Sequence, residues 1–162
     1  MKYRMLSTEE LEVFEEDFKH FLIVNGVHSE EWEAMNLQQP DQALALVELF
    51  CDTVLHKVYE KLRFLELRTK ESCLVFKMGP EEIDLISLSA KAGAEVDLST
   101  PESIHQALVE KAGHLGFFRS KKRYNTEREL EIHALIEQGC VPSTESYWDA
   151  LNSVVEDDPQ PN

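Results

Sequence analysis

The sequence predicts an α+β fold in which helices flank a small three-stranded antiparallel meander. Two observations predict this fold class. Long stretches toward both ends place apolar residues three and four positions apart, which is the helical period. Between them, short runs rich in Val, Ile, Leu and Phe tend to alternate with polar residues, which is typical of strands.

The first part of the chain is predicted to be helical. "STEELEVFEEDFKHFLIVNG" opens with a capping box, in which Ser7 is the cap and Glu10 follows three residues later. It ends at Gly26, which suits a left-handed stop. "HSEEWEAMNLQQ" predicts a short helix. A long helix then starts at Pro40, because proline fits a first helical turn, and reaches about Leu62.

The period changes after this helix. We expect strands at about residues 63–68, 72–78 and 83–89, because the runs are separated by the turn-like stretches "KE" and "GPEE". A lone sheet of this size needs a cover on one face. We expect the helices to supply that cover. The next helix is predicted from Pro101 to Ala112, with Thr100 as its cap.

The last third of the chain contains a basic segment between helices. "FFRSKKRYN" predicts a loop, and its two phenylalanines predict core packing. A helix from Thr126 to Gln138 follows, with a second capping box formed by Thr126 and Glu129. "STESYWDALNSVV" predicts a last helix. We predict one domain over residues 1–156 and a frayed acidic tail at 157–162.

Charge and composition limit the classes of function. The 162-residue chain has a formal net charge of −15, and residues 1–60 hold 13 Asp and Glu against 4 Lys and Arg. This acidity argues against general nucleic-acid binding and against anionic membrane surfaces. Apolar runs such as Phe21–Val24 are far too short to span a bilayer. Three widely spaced cysteines without a CxxC pair predict buried free thiols and a cytoplasmic protein.

The basic segment is the first candidate site. Cations near a helix N-terminus add to the free N–H groups of its first turn, so an anion could bind there. The cations could instead offset the acidic helices of residues 1–60 as an intramolecular latch, or remain solvated. The predicted anion-binding residues are Arg119, Ser120, Lys121, Lys122, Arg123 and Tyr124.

Carboxylates and histidines one helical turn apart give the second candidate site. Residues four positions apart share a helix face, so two such faces could hold a metal ion. The predicted ligands are Glu16, His20, Asp52 and His56. On acidic helices the same spacing also occurs as ordinary surface pairing. Because no hydrolase-elbow, dinucleotide-binding or P-loop motif is present, the sequence predicts neither a cofactor nor a catalytic residue.

Three stretches carry a resemblance to a known family: "MKYRMLSTEELEVFEEDFKHFLIVNGVHSEEWEAMN", "VYEKLRFLELRTKESCLVFKMG" and "FFRSKKRYNTERELEIHALIEQGC". Together they resemble a family of small acidic bacterial proteins of unknown function, over about residues 1–140. The resemblance implies a bacterial cytoplasmic protein with a single domain. It implies no activity, cofactor or catalytic residue.

These observations favour a non-enzymatic protein that acts as an adaptor or through protein–protein interaction. The partner is unidentified, and a basic one would suit the acidic helices, which could also mimic nucleic acid in a basic groove. We expect no nucleic acid and no membrane as partners, and the sequence leaves the oligomeric state open. The alternative function is a metal-dependent enzyme that uses the carboxylate and histidine faces of the first and third helices.

Overall fold

The computed structural model describes residues 1–157 and is α+β, as predicted. Its helices within this range are α1 Thr8–Val13, α2 Glu15–Val24, α3 Ser29–Gln38, α4 Pro40–Lys61, α5 Pro101–Glu110, α6 Arg128–Glu137 and α7 Glu145–Asp157. Its strands within the same range are β1 Phe64–Arg68, β2 Ser72–Met78, β3 Glu82–Ala90, β4 Leu115–Arg123 and β5 Val141–Pro142. A short 3-10 helix, Ala112–His114, precedes β4.

The described chain forms two compact units. The helical unit is Met1–Glu60, and the sheet unit begins at Lys61. The single domain over residues 1–156 stays a prediction. Asp157 ends α7, and the rest of the predicted tail at 157–162 lies outside the described residues.

The helical unit begins with the predicted capping box. The side chain of Ser7 accepts from the Glu10 N–H, and the Glu10 side chain accepts from the Ser7 N–H. The single helix predicted to Gly26 is interrupted at Phe14, whose φ of −98° and ψ of 18° end α1 and start α2. Gly26 has the expected positive φ of 77°. The predicted start of α4 at Pro40 is confirmed.

Aromatic rings fill the centre of the helical unit. Phe50 on α4 is only 3% exposed, and its ring centroid lies 5.0 Å from that of Phe18 and 5.3 Å from that of Phe21. Phe18 also meets Trp32 edge-on, with centroids 5.3 Å apart. These contacts link α2, α3 and α4, because aromatic pairs combine large apolar area with a preferred geometry.

The N-terminal segment, residues 1–6, lies along α4. The N–H groups of Lys2 and Tyr3 donate to the Asp52 carboxylate over 2.6 and 2.8 Å. The Tyr3 hydroxyl lies 2.8 Å from Nδ1 of His56, and the Tyr3 ring meets Tyr59 edge-on. A segment without secondary structure is therefore held in place by polar groups of one helix face.

The sheet unit shows that the predicted three-stranded meander is wrong in extent. Its strands at 63–68, 72–78 and 83–89 are present as β1, β2 and β3. Within the described residues, however, the sheet has five antiparallel strands in the order β4-β3-β2-β1-β5. The predicted loop is most of β4, because backbone pairing does not depend on side-chain charge and cations at a sheet edge remain solvated. β5 has only two residues, too few for a period to show.

One face of the sheet carries the main core. The register places Cys73, Leu88 and Phe117 side by side on this face, with each strand contributing alternate residues. α5 contributes buried Ile104 to the same core, and α7 contributes buried Trp148. Phe117 is thus core, as predicted, whereas Phe118 lies on the opposite face and is 51% exposed. The strand period separates the two neighbours.

Candidate functional site

β4 lies at one edge of the sheet and carries the cations singled out by the sequence. It pairs along its whole nine-residue length with β3 and has no second neighbouring strand within the described residues. Alternation points Arg119, Lys121 and Arg123 to the core face of the sheet and Ser120 and Lys122 to the other face. We call residues 119–123 the basic edge.

Alternate residues of the basic edge direct their backbone N–H and C=O groups away from the sheet. Just beyond β3 and β4, the Lys91 N–H donates to the His114 carbonyl over 2.8 Å, which marks this position as a hydrogen-bonded pair. Hydrogen-bonded and non-hydrogen-bonded pairs alternate along an antiparallel ladder. Even-numbered residues of β4 therefore bond to β3, and the N–H and C=O groups of Arg119, Lys121 and Arg123 point away from the sheet.

Lys121 is loosely paired within its own sheet. Its Nζ lies 3.8 Å from Glu82 Oε1 and 3.8 Å from Asp84 Oδ2, while its side chain remains 57% exposed. These separations exceed the length of a charge-assisted hydrogen bond. The pair with Glu82 is exposed on both sides, and exposed ion pairs contribute between about 0 and 1 kcal/mol, whereas the Asp84 side chain is only 15% exposed. Lys121 is therefore held near Asp84, but its exposed side chain can also contact an incoming anion.

The two arginines of the basic edge differ in their surroundings. Arg119 donates to Asn152 Oδ1, and its guanidinium lies 6.0 Å from the centroid of the Trp148 ring. The Arg123 side chain is exposed and makes no hydrogen bond or ion pair with any residue in the described range. The far end of β4 thus presents a cation with no partner in the described chain.

The protein's own carboxylate lies where an anion was predicted to bind. Glu131 Oε1 accepts from the Asn125 N–H over 2.6 Å and from the Thr126 N–H over 3.3 Å. Its second oxygen lies 3.6 Å from Lys122 Nζ. The predicted capping box of Thr126 and Glu129 is wrong, because α6 begins at Arg128 and Glu131 binds the N–H groups that precede it.

Tyr124, the last of the predicted anion ligands, has a structural role. Its hydroxyl donates to the Gly79 carbonyl over 2.6 Å. Arg128 donates to the same carbonyl over 3.2 Å, to the Met78 carbonyl over 3.1 Å, and to the Leu62 carbonyl. These two side chains therefore fasten the start of α6 to the turn between β2 and β3.

The partners shown for the basic edge all belong to the sheet unit. Arg119, Lys121 and Lys122 contact Asn152, Glu82, Asp84 and Glu131. Anion binding by residues 119–124 stays a prediction, but the strand geometry changes its form. Because the cations alternate between two faces, they do not converge on one small ion; they line an edge about five residues long.

The predicted metal ligands have separate environments in the helical unit. Glu16 is exposed and pairs with Lys19 Nζ at 3.2 Å, and His20 is exposed. Asp52 binds the N-terminal segment, and His56 binds Tyr3 through Nδ1. Among residues 1–60, no three His, Cys, Asp or Glu side chains bring ligand atoms within 4.8 Å of one another. The metal site of Glu16, His20, Asp52 and His56 stays a prediction.

The cysteines are poorly placed for nucleophilic chemistry. Cys51, Cys73 and Cys140 are buried free thiols, as predicted. Burial raises the pKa of the Cys73 thiol and of the Cys140 thiol above the ordinary value. At neutral pH both sulfurs are therefore protonated, and the protonated thiol is a poor nucleophile.

Sequence reasoning missed the backbone edge and the two residues that shape its surroundings. The edge depends on the pairing partner of β4, which no local pattern encodes. Arg128 binds carbonyls 49 to 66 positions earlier in the chain. Glu131 follows the N–H groups that it binds by five and six positions, outside the three-residue spacing of a capping box. In "LGFFRSKKR" apolar and polar residues alternate only weakly, because two phenylalanines and two lysines are adjacent, so the sequence does not indicate a strand there.

Comparison with known proteins gives a family and no activity. None of the helices described in the structure combines the length and apolarity needed to cross a bilayer. No curated protein and no solved structure matches the chain. The resemblance to a family of unknown function, which the sequence carries to about residue 140, is confirmed over a longer range. The chain belongs to the family of unknown function DUF6495, whose model matches residues 1–156.

Proposed function

We propose that this protein acts by protein–protein interaction and that its basic edge binds an acidic segment of a partner protein. The observation that carries the proposal is the position of the cations: four lie within five residues of an open edge strand, in a chain of net charge −15. A positive site on an acidic protein is a local feature, since the rest of the surface repels polyanions.

The cations of the basic edge are only loosely paired within the chain, which supports binding of a partner. Lys121 and Lys122 meet carboxylates only at 3.6 to 3.8 Å, and both side chains are more than half exposed. Arg123 has no partner in the described chain. A carboxylate from another protein could form shorter, bidentate hydrogen bonds with this guanidinium. Binding would therefore add contacts rather than replace strong ones.

The class of partner follows from charge and compartment. Nucleic acid is disfavoured, because the net charge of −15 opposes a long polyanion. A protein segment with a few carboxylates needs attraction only along the basic edge. The buried free thiols favour a reducing compartment, so we place the interaction in the cytoplasm, in a bacterium as the family resemblance implies.

A peptide titration with matched charge variants tests the proposal. The probe is a fluorescein-labelled nine-residue peptide of alternating Glu and Thr, followed by anisotropy, with a Lys/Thr peptide as the charge control. We expect Arg123→Glu to weaken binding of the acidic peptide by about tenfold, consistent with loss of one charge-assisted contact.

The matched control is Lys70→Glu. Lys70 is exposed in the turn between β1 and β2, so this variant changes the net charge equally within the same unit. Equal losses in Arg123→Glu and Lys70→Glu would show that only the net charge matters and would contradict the proposal. Failure of the wild-type protein to bind the acidic peptide in preference to the basic one would do the same.

A further inference from the structure

Resting on the function proposed above, we infer that the acidic segment binds as an extra β-strand along the outer edge of β4, with Asp or Glu at every second residue. Strand addition to an open sheet edge obtains affinity from main-chain hydrogen bonds and specificity from alternate side chains. The basic edge offers both kinds of contact.

The main-chain contacts come from the outward-facing half of β4. The register and the Lys91–His114 hydrogen bond place the N–H and C=O groups of Phe117, Arg119, Lys121 and Arg123 on the open side of the strand. An incoming strand could pair with each of these residues in turn. Over nine residues, β4 provides an edge about 30 Å long.

The side-chain contacts explain the alternate acidic pattern. Residues directly opposite each other in neighbouring strands point to the same face, with Cβ atoms about 5 Å apart. Alternate residues of the incoming strand would therefore face Arg119, Lys121 and Arg123. Carboxylates at these positions form favourable cross-strand pairs. On the other face, an apolar side chain would cover Phe118, which is 51% exposed.

A second copy of this chain is a poor occupant of the same edge. If β4 paired antiparallel with its counterpart around Lys121, the two lysines would face each other and Arg119 would face Arg123. Like charges directly opposite each other destabilise a strand pair. Lysines on an edge strand also prevent edge-to-edge aggregation. In this register the charges therefore oppose self-pairing, whereas they favour an acidic strand.

A pair of substitutions at one position separates strand addition from simple charge attraction. Lys121→Ala and Lys121→Pro remove the same positive charge. Proline also removes the outward N–H, while the ladder bonds to β3 come from the even-numbered residues and remain. With the same Glu/Thr peptide, we expect Lys121→Ala to lower the binding affinity severalfold. Lys121→Pro should lower it at least tenfold further. Circular dichroism checks that both variants fold.

Modified peptides give the same test without altering the protein. N-methylation of the alternate residues whose N–H groups face β4 should abolish binding of the peptide. N-methylation of the other alternate residues, whose N–H groups face away from β4, should leave binding intact. Equal binding by Lys121→Ala and Lys121→Pro, or by the two methylated peptides, would overturn strand addition while leaving the acidic-partner proposal standing. No binding of the unmodified acidic peptide would overturn both. If Lys121→Pro does not fold, the comparison of the two methylated peptides by itself tests strand addition.

Discussion

Glu131 accepts a hydrogen bond from the backbone N–H of Asn125 over 2.6 Å. The same carboxylate lies 3.6 Å from Lys122 Nζ, so it acts as an internal anion at the start of α6. A helix start next to a cation attracts negative charge, and here the chain supplies that charge itself.

Removing this carboxylate should create an anion site. We expect Glu131→Ala to lower the free energy of unfolding by about 1–2 kcal/mol, because two N–H groups lose their acceptor. Sulfate should then raise the melting temperature of the variant more than that of the wild type. The measurement is thermal unfolding in sulfate and in chloride at equal ionic strength. Glu131→Gln, which keeps an acceptor oxygen, should show no such gain; an equal sulfate response in all three proteins would contradict the prediction.

Arg128 should be more important for stability than any cation of the basic edge. Its guanidinium binds the carbonyls of Leu62, Met78 and Gly79, which would otherwise lack that donor. Arg128→Ala should cost about 2–3 kcal/mol in urea unfolding, and Arg128→Lys should recover little because an ammonium group lacks the planar fork. Arg123→Ala, at an exposed position, should change stability by less than about 0.5 kcal/mol. Similar losses of stability in Arg128→Ala and Arg123→Ala would contradict this role of Arg128.

Asp52 should hold the N-terminal segment. It accepts from the N–H groups of Lys2 and Tyr3, so Asp52→Ala should speed amide hydrogen exchange at Tyr3 by more than tenfold while exchange within α2 stays unchanged. NMR measures both. Glu48→Ala, one turn earlier on α4, is the control and should leave Tyr3 protected. Unchanged exchange at Tyr3 in Asp52→Ala would mean that the tyrosine ring contacts alone hold the segment.

The pair of Arg4 and Glu10 should give the helical unit an acid-sensitive contribution to stability. Hydrogen bonds from the Arg4 guanidinium and the Ser7 N–H lower the pKa of Glu10 from 4.5 to about 2. A lowered carboxyl pKa stabilises the folded state above pH 4.5, and this contribution disappears as the pH falls toward 2. Both side chains are 38% exposed, so solvent screening limits the effect to about 0.5–1 kcal/mol.

Urea unfolding of Glu10→Gln at pH 6 and pH 2 measures this contribution. The variant should be less stable than the wild type at pH 6 and nearly equal to it at pH 2. Glu9→Gln, at an exposed neighbouring position, should match the wild type at both values. If the stability lost in Glu10→Gln were the same at pH 6 and pH 2, the ionised carboxylate would not be the cause of the loss.

The elements predicted correctly are those whose signal is local. Ser7 and Glu10 lie three residues apart and cap each other, and Pro40 starts a helix whose buried face repeats every turn. β1, β2 and β3 are joined by short turns, so their pairing follows from neighbouring sequence. In such cases the interacting residues are close together in the sequence, so a local pattern predicts the element.

The basic edge could be predicted only in part for the opposite reason. Its charges are visible in the sequence, but their arrangement depends on pairing with β3 about 30 residues earlier. That pairing places Lys121 and Lys122 on different faces and turns a predicted anion-binding loop into a linear edge. Glu131 likewise fills the predicted anion position through a contact that only the folded chain defines.

The opposite edge of the sheet limits how many strands can join it. The Ser143 N–H donates to the Phe64 carbonyl, so alternation turns the nitrogen of Pro142 outward, where proline has no hydrogen to give. Strand addition at β5 is thus opposed by this proline, whereas β4 is the open edge within the described residues. The proposed partner would therefore join the sheet at β4, and one copy of its acidic segment would bind each protein molecule.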